Sequence, residues 1–267
     1  MSEPTLQPQI DAASAYEALF VPALFRQWAP KVANAARIQA GQRVLDVACG
    51  TGILAREIST QVGTSGRVAG IDPIPGMLAV AKQLAPNIEW RQGTAESLPF
   101  PDQSFDAVVS QFGLMFFPDR SQAIHEMLRV LIPGGRLAVA VWDSLDNIPA
   151  YAAVDKLLER TAGDQAADAL KAPFVLGDRN ELSKLFSEAG ANAVEVTTHE
   201  GTAHFPSIRI MVEADLRGWL PVVGVNLTED QISNILNEAE HTLSAYAAAD
   251  GQVSFSMSAH MVTASKS

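Results

Sequence analysis

Arg43-Val-Leu-Asp-Val-Ala-Cys-Gly-Thr-Gly-Ile-Leu-Ala55 is the stretch whose reading decides the fold. Val44, Leu45, Val47 and Ala48 form an apolar run broken only by Asp46. Parallel strands covered on both faces read this way. Gly50 and Gly52 follow at once, and two glycines so spaced let the backbone turn tightly and let a ligand come close. The helix that starts there directs its N–H groups and positive dipole end back at the turn. Strand, glycine turn and helix together predict a cofactor cradle at Gly50–Gly52.

Working outward, the same alternation repeats. Residues 67–71 form an apolar strand ending at Asp72-Pro73, followed by a helix over about 75–85. Residues 88–92 and 105–110 read as a third and a fourth strand, separated by the proline-containing loop 93–103. A helix over 119–131 is capped by Asp119, with Gln122 three residues on. Pro133-Gly-Gly135 turns into a fifth strand over 136–142. Strands alternating with helices predict βαβ units and a parallel sheet, whose ligands bind beyond the carboxyl ends of the strands.

Upstream, residues 1–9 read as a loose tail and residues 10–39 as two helical pieces punctuated by Pro22 and Pro30. Downstream, helices are predicted over 148–161, 178–189, 208–219 and 228–246, the last opening with a Thr228/Gln231 capping box. Residues 162–177 read as loop. Residues 194–200 alternate as a sixth strand, and Val253, Phe255, Met257, Ala259 and Met261 alternate as a last, antiparallel one. The expected fold is α/β, a Rossmann-like doubly wound, seven-stranded, mostly parallel sheet with an antiparallel last strand and a helical cap. The expected organisation is one domain over 1–267, with its core at about 40–142, 178–200 and 251–265. The cap would come from about 1–30, 145–177 and 205–250, over the carboxyl edge of the sheet.

The bulk numbers exclude several classes. With 267 residues, 48% hydrophobic and only 18% charged, the chain has ample core. A net charge of −11 with no Lys/Arg cluster argues against a nucleic-acid partner. The single cysteine, Cys49, excludes a disulfide framework and a multi-cysteine metal site, and no metal is expected. The nearest apolar run, 19–25, is broken by Pro22, so neither a signal peptide nor a membrane span is expected. A cytoplasmic protein is the expectation.

Gly50-Thr-Gly-Ile-Leu-Ala55 fits the dinucleotide fingerprint G-x-G-x-x-G/A, with Asp72 at the next strand tip. A nicotinamide-dependent oxidoreductase is therefore one reading, and a non-catalytic cofactor-binding protein another. Asp46 argues against NAD, because a carboxylate inside the strand suits a cationic amino group better than a pyrophosphate. Tyr151 and Lys156 are also one residue out of register for a Tyr-x-x-x-Lys pair.

The later junctions carry a pattern of their own. Val44–Gly52 resembles motif I of the class I S-adenosylmethionine-dependent methyltransferases. Gly70-Ile-Asp-Pro73 resembles their acidic second-strand tip, residues 93–110 their adenine loop and fourth strand, and residues 129–139 their fifth-strand motif. The likeness covers about 40–142 and is similar to the branch of ubiquinone, menaquinone and small-molecule methyltransferases. It implies S-adenosylmethionine as methyl donor and S-adenosylhomocysteine as product.

The resemblance also implies roles. Asp46 would face the methionine part, with Ala48, Gly50 and Gly52 letting its backbone pass. Asp72 would accept from both ribose hydroxyls, beside Pro73. Met77 would pack on the adenine, and Thr94, Ala95 and Glu96 would meet its edge. Thr94 stands where the family carries an acidic residue. Gln111 would lie near the methionine amine, and Tyr16 would close over the cofactor. The implied reaction is methyl transfer to a small, mainly apolar acceptor at oxygen, nitrogen or carbon.

For the acceptor pocket the aromatic candidates are Phe112, Phe116, Trp142 and Trp219. Phe112 and Phe116 follow strand four, where core packing claims part of the Phe112–Phe117 run. Of five histidines, His241 falls on a solvated face and His125 on the edge of a buried one. His260 is carried away from the carboxyl edge by the antiparallel strand. His199 and His204 are expected to follow the sixth strand, and His204 is the candidate base.

Overall fold

The structure, a computed structural model, describes residues 6–267. The glycine turn joins β1 (Arg43–Val47) to a helix at Ile53–Val62, and the other units follow as their patterns predict. In chain order the helices are α1 (Leu6–Phe20), α2 (Ala29–Ala35), α3 (Ile53–Val62), α4 (Pro75–Leu84), α5 (Arg120–Val130), α6 (Pro149–Ala162), α7 (Asp164–Lys171), α8 (Arg179–Glu188), α9 (Ile208–Ala214) and α10 (Glu229–Thr242). The remaining strands are β2 (Arg67–Asp72), β3 (Glu89–Gln92), β4 (Phe105–Gln111), β5 (Leu131–Trp142), β6 (Asn192–Phe205) and β7 (Val253–Ser265).

One seven-stranded sheet runs in the order β3-β2-β1-β4-β5-β7-β6. β1 pairs in parallel with β2 on one side (Asp46↔Gly70) and with β4 on the other (Asp46↔Val109). The chain reverses direction across the sheet between β1 and β4, and such a switch point is where open α/β sheets bind ligands. From Val44 onward β1 is buried throughout, which explains its unbroken apolar run. β7 is antiparallel to both neighbours. Against β5, Lys266 bonds Gly134 and Gly135 at one end, and Ser258 O accepts from Asp143 N at the other. Against β6, Thr198 meets His260 and His204 meets Ser254.

The chain divides into two compact units. One runs through Val141 and takes in Asp178–His199 and His260–Ser267; the other comprises Trp142–Gly177 and Glu200–Ala259. Leu6–Trp28, expected to join the cap, belongs to the first unit. There α1 lies so close to α4 that a Cβ on Gly76 would stand 2.4 Å from the Gln9 carbonyl oxygen. Residues 1–5 of the expected tail lie outside the described residues; from Leu6 on, the chain is helical.

Other expectations are corrected. The loop read at 162–177 contains α7, whose buried face is Ala166, Ala167 and Leu170. Two alanines carry little periodic hydrophobic signal, so the pattern was masked. The predicted helix 208–219 keeps α-geometry only to Ala214, then widens into a π turn at Asp215–Trp219 and tightens again at Leu220–Val223. A second π turn, Val21–Phe25, contains Pro22. β6 continues past Glu200 to Phe205, because Ala203 and Phe205 are buried although Gly201 and Thr202 interrupt the alternation. His199 and His204 therefore lie within the strand rather than after it. β5 begins at Leu131: its pairing with β4 jumps from Phe105↔Leu131 to Ala107↔Arg136, and Gly134 takes φ +75° to absorb the extra residues.

Candidate functional site

The first unit gathers the cofactor candidates at the carboxyl ends of β1, β2 and β4. The glycine turn is set by Cys49 N donating to Ile71 O (3.0 Å) and Gly52 N to Cys49 O (2.8 Å). Gly50 has φ +54°, and nothing lies within 4 Å of where its Cβ would be. Gly52 differs. It has φ +86°, and a Cβ there would stand 2.4 Å from the Trp90 ring, which also covers Gly70 at the same distance. The group that needs Gly52 to be bare is thus an indole of β3, a residue the sequence pattern did not single out.

Asp72 anchors the turn. Its Oδ2 accepts from Gly50 N and its Oδ1 from Ile74 N, both at 2.9 Å. Burial raises its pKa, and these two bonds pull it back. Each carboxylate oxygen retains a further acceptor position. Asp46 is only 1% exposed, and neither of its oxygens has a hydrogen-bond partner among the described residues. Burial pushes its pKa up to about 8; the Ala55 N–H opposes without completing a hydrogen bond, and the Asp72 charge adds to the rise. Burial likewise raises the Cys49 thiol, which suits a packed turn residue rather than a nucleophile.

Backbone strain is concentrated here. Ala48 and Phe112, each one residue past its strand, both adopt φ +57°. The left-handed region costs a non-glycine residue about 1–2 kcal/mol and recurs at functional sites. A Cβ on Gly113 would come within 2.6 Å of the Ala48 Cβ, so the two strand ends are in close contact.

The N-terminal helices are tied to this turn. Arg56 on α3 donates to Thr51 O (2.6 Å) and to Glu17 Oε1 on α1 (2.7 Å). The latch spans 39 residues and has no local sequence signal. Tyr16 beside it stacks on Phe25 at 5.4 Å; Phe25 and Trp28 each lie 5.7 Å from Phe112. Tyr16 and Phe112 therefore belong to one aromatic cluster, with Phe25 and Trp28 as members the sequence reading missed. Burial first, and then the Asp72 charge, raise the Tyr16 phenol.

Gln111 Nε2 donates to Phe25 O (3.3 Å), while its Oε1 is buried with no hydrogen-bond partner among the described residues. Glu96 Oε1 is also buried with no partner among the described residues, and the Glu96 carbonyl accepts from Gln122 Nε2. The Gln122 side chain thus leaves the expected capping box half formed, although Asp119 does cap Gln122 N. Ala95 is buried, Thr94 and Pro73 are exposed, and Met77 is half-buried on α4.

These orphaned atoms test the cofactor. Gln111 Oε1 and Glu96 Oε1 are acceptors, and Asp46, once a cation beside it favours its ionised form, is one too. A buried acceptor without a donor is costly, so the missing ligand must bring donors. An amino-acid ammonium, a ribose diol and an adenine amino group do; a nicotinamide dinucleotide shares the last two but has no ammonium for Asp46, and its pyrophosphate is itself an anionic acceptor. The residues present fit S-adenosylmethionine and disfavour a nicotinamide dinucleotide.

The remaining candidates have these surroundings. Phe116 is 45% exposed. His204, Trp142 and Trp219 belong to the second unit. There His204 is exposed with Nδ1 2.8 Å from Ser254 Oγ, Trp219 Nε1 donates to Ala169 O, and Trp142 is buried at the end of β5. In the first unit buried His260 meets Thr198 Oγ1 at 3.0 Å, His199 bonds Thr197, and exposed His125 bonds its own helix at Ser121 O.

Comparison with known proteins agrees with the chemistry of the turn. Residues 45–139 match a family described as a methyltransferase domain. A demethylmenaquinone methyltransferase of Listeria monocytogenes is 35% identical over 193 residues, covering 66% of this chain and 81% of that protein. A ubiquinone/menaquinone biosynthesis C-methyltransferase of Hahella chejuensis is 44% identical over 130 residues, covering 46% and 52%. In fold, the YcgJ protein of Bacillus subtilis superposes with a TM-score of 0.59 at 23% identity, covering 90% of this chain and 98% of its own. No described helix is long and apolar enough to cross a membrane. On the strength of that shared sequence and a turn built to receive donors, the chain belongs to the class I S-adenosylmethionine-dependent methyltransferases.

Proposed function

We propose that the acceptor is a small, mainly apolar molecule with a hydroxylated ring. The aromatic cluster of Tyr16, Phe25, Trp28 and Phe112 carries this reading, because it adjoins the orphaned acceptors through Gln111 and Tyr16. Two of the relatives, named for quinone-type acceptors, support it.

When bound, S-adenosylmethionine supplies a methyl group activated by the sulfonium. Asp46 and Gln111 Oε1 receive the ammonium, Asp72 the ribose hydroxyls and Glu96 the adenine amino group, with Thr94 and Ala95 at its edge. Met77 and Pro73 border the adenine, and the bare face of Gly50 beside Ala48 admits the backbone of the ligand. The rings of Tyr16 and Phe112 exclude water and offer their faces to the positive sulfur. Alignment of acceptor and methyl is then the protein's main contribution to rate. Phe116, shortly after Phe112, takes part in acceptor choice. His204 is the candidate proton acceptor.

Calorimetry with S-adenosylhomocysteine and with NAD tests the cofactor site: tight binding of the first and none of the second is expected, and the reverse sinks the reading. Methyl transfer to a panel of naphthols, phenols and alkylamines tests the acceptor; turnover confined to the amines would overturn a hydroxylated ring. A His204→Ala variant with unchanged kcat would remove His204 from the chemistry.

A further inference from the structure

Between β3 and β4 the chain runs through residues 93–104 without a helix or strand, and Pro99 and Pro101 each lack an N–H group. One face of α5 fixes this loop. Gln122, Glu126 and Arg129 are spaced four and then three residues apart, so they share that face. Gln122 Nε2 donates to Glu96 O (3.3 Å), and Glu126 Oε2 accepts from Leu98 N (2.8 Å). Arg129 reaches furthest. Its Nη2 donates to Leu98 O and its Nη1 to Phe100 O, both at 2.9 Å, and Nη1 also to Asp102 Oδ1 at 2.7 Å. Its Nε and Nη2 hold the Glu126 carboxylate at 2.6 and 2.8 Å. Its own carbonyl accepts from Gln103 N (3.1 Å) and from Lys266 Nζ (3.0 Å).

This arrangement is more than a surface ion pair. The Asp102 side chain is 71% exposed, and such pairs add little to stability. A guanidinium carries five donors in a rigid planar fork. Here the fork meets two carbonyls of one loop and the carboxylate that takes the Leu98 N–H. A lysine would bring the charge without the fork. Two residues before Leu98 stands Glu96, whose Oε1 is buried with no hydrogen-bond partner among the described residues. A loop ordered before the ligand arrives spares binding the cost of ordering it.

We propose that Arg129, with Glu126, is a positioning residue for the methyl donor: by fixing residues 96–103 it presents the Glu96 carboxylate to the adenine amino group. This rests on the placement of adenine at Glu96 proposed above. The sequence pattern put Arg129 at the head of the fifth-strand motif and gave it no task, because the carbonyls it meets leave no mark in a residue pattern.

The test uses the full chain and two probes, S-adenosylhomocysteine and its analogue with hydrogen in place of the adenine amino group. Wild type is expected to prefer the first by about tenfold or more, since a buried carboxylate left without its donor rejects the analogue. Arg129→Lys is expected to bring the two probes to within about threefold. In a Glu96→Ala background the same change is expected to move the preference no further, because the arginine acts through Glu96. A merely weakened fold would lower both affinities alike and leave their ratio unmoved. Amide hydrogen exchange of the ligand-free protein reads the loop itself: Arg129→Lys is expected to speed exchange about tenfold within residues 94–103 and to leave β1 and β4 at wild-type rates. Glu126→Gln, with the same expectations, serves if Arg129→Lys does not fold. A preference that survives Arg129→Lys, a further loss in the Glu96→Ala background, or wild-type exchange in the loop would each overturn the proposal. A wild type without any preference would overturn the placement of adenine at Glu96 and the proposal with it; loosened exchange in the variant would then show that the placement failed and not the clamp.

Discussion

Asp72 ties the ends of two elements to one carboxylate. It fastens the glycine turn through Gly50 N and the start of α4 through Ile74 N, and it keeps one acceptor position free on each oxygen. Asp72→Ala is therefore expected to cut S-adenosylhomocysteine affinity by about 1–3 kcal/mol through lost charge-assisted hydrogen bonds. Titration calorimetry checks this, and unchanged affinity would put the ribose elsewhere. Asp46 is the complementary case, neither oxygen having a hydrogen-bond partner among the described residues. Its importance was legible in the sequence, since a carboxylate inside a buried strand demands a reason. The Arg56 latch was not legible: Glu17, Thr51 and Arg56 are ordinary residues until the fold brings them together.

At the scale of elements, two contacts invite measurement. The N-terminal α1 rests on α4 where Gly76 leaves room for the Gln9 backbone. Gly76→Ala is expected to destabilise the protein by about 1–3 kcal/mol through overpacking, read as a lower urea midpoint. A midpoint equal to wild type would mean that α1 shifts without cost. α10 opens with a reciprocal capping box, Thr228 Oγ1 accepting from Gln231 N and Gln231 Oε1 from Thr228 N. Thr228→Ala is expected to cost about 1 kcal/mol, seen as earlier thermal unfolding. Elements with strong periodicity or caps were legible within a few residues: β1, β2, β4, α4, α5 and α10. Those that failed had physical reasons. Alanines hid α7, Gly201 and Thr202 hid the end of β6, and a π turn leaves no trace in a hydrophobic pattern.

For the whole molecule, the buried carboxyls set a pH dependence of unusual sign. Asp46 and Asp215 rise from an ordinary value of 3.8 to about 8, and Asp72 also rises. Between those values the folded state holds protons that the unfolded chain has released. Stability is then greatest at the acid end and falls as pH climbs through the window. Thermal unfolding of the cofactor-free protein from about pH 5 to about pH 8 should show Tm declining, and Asp46→Asn with Asp215→Asn should flatten the decline. A Tm that rises across the window would contradict the assignment. The parallel central strands and the antiparallel last strand were legible in the βαβ alternation, whereas the order of the strands was not read from the sequence. The division into two compact units did not, because β6 and β7 run through both and no linker marks a boundary.

The indole of Trp90 gives the glycine motif a history. A lineage that abandoned the methyl donor would leave Gly50 held only by its φ of +54°, which costs another residue about 1–2 kcal/mol, because no described atom lies within 4 Å of its absent side chain. Gly52 and Gly70 would persist, since Trp90 fills the room that a side chain would need. A relative keeping the second glycine but not the first would have kept the packing of the fold and changed the face proposed to admit the ligand, and the two positions can be scored separately when such sequences are sorted.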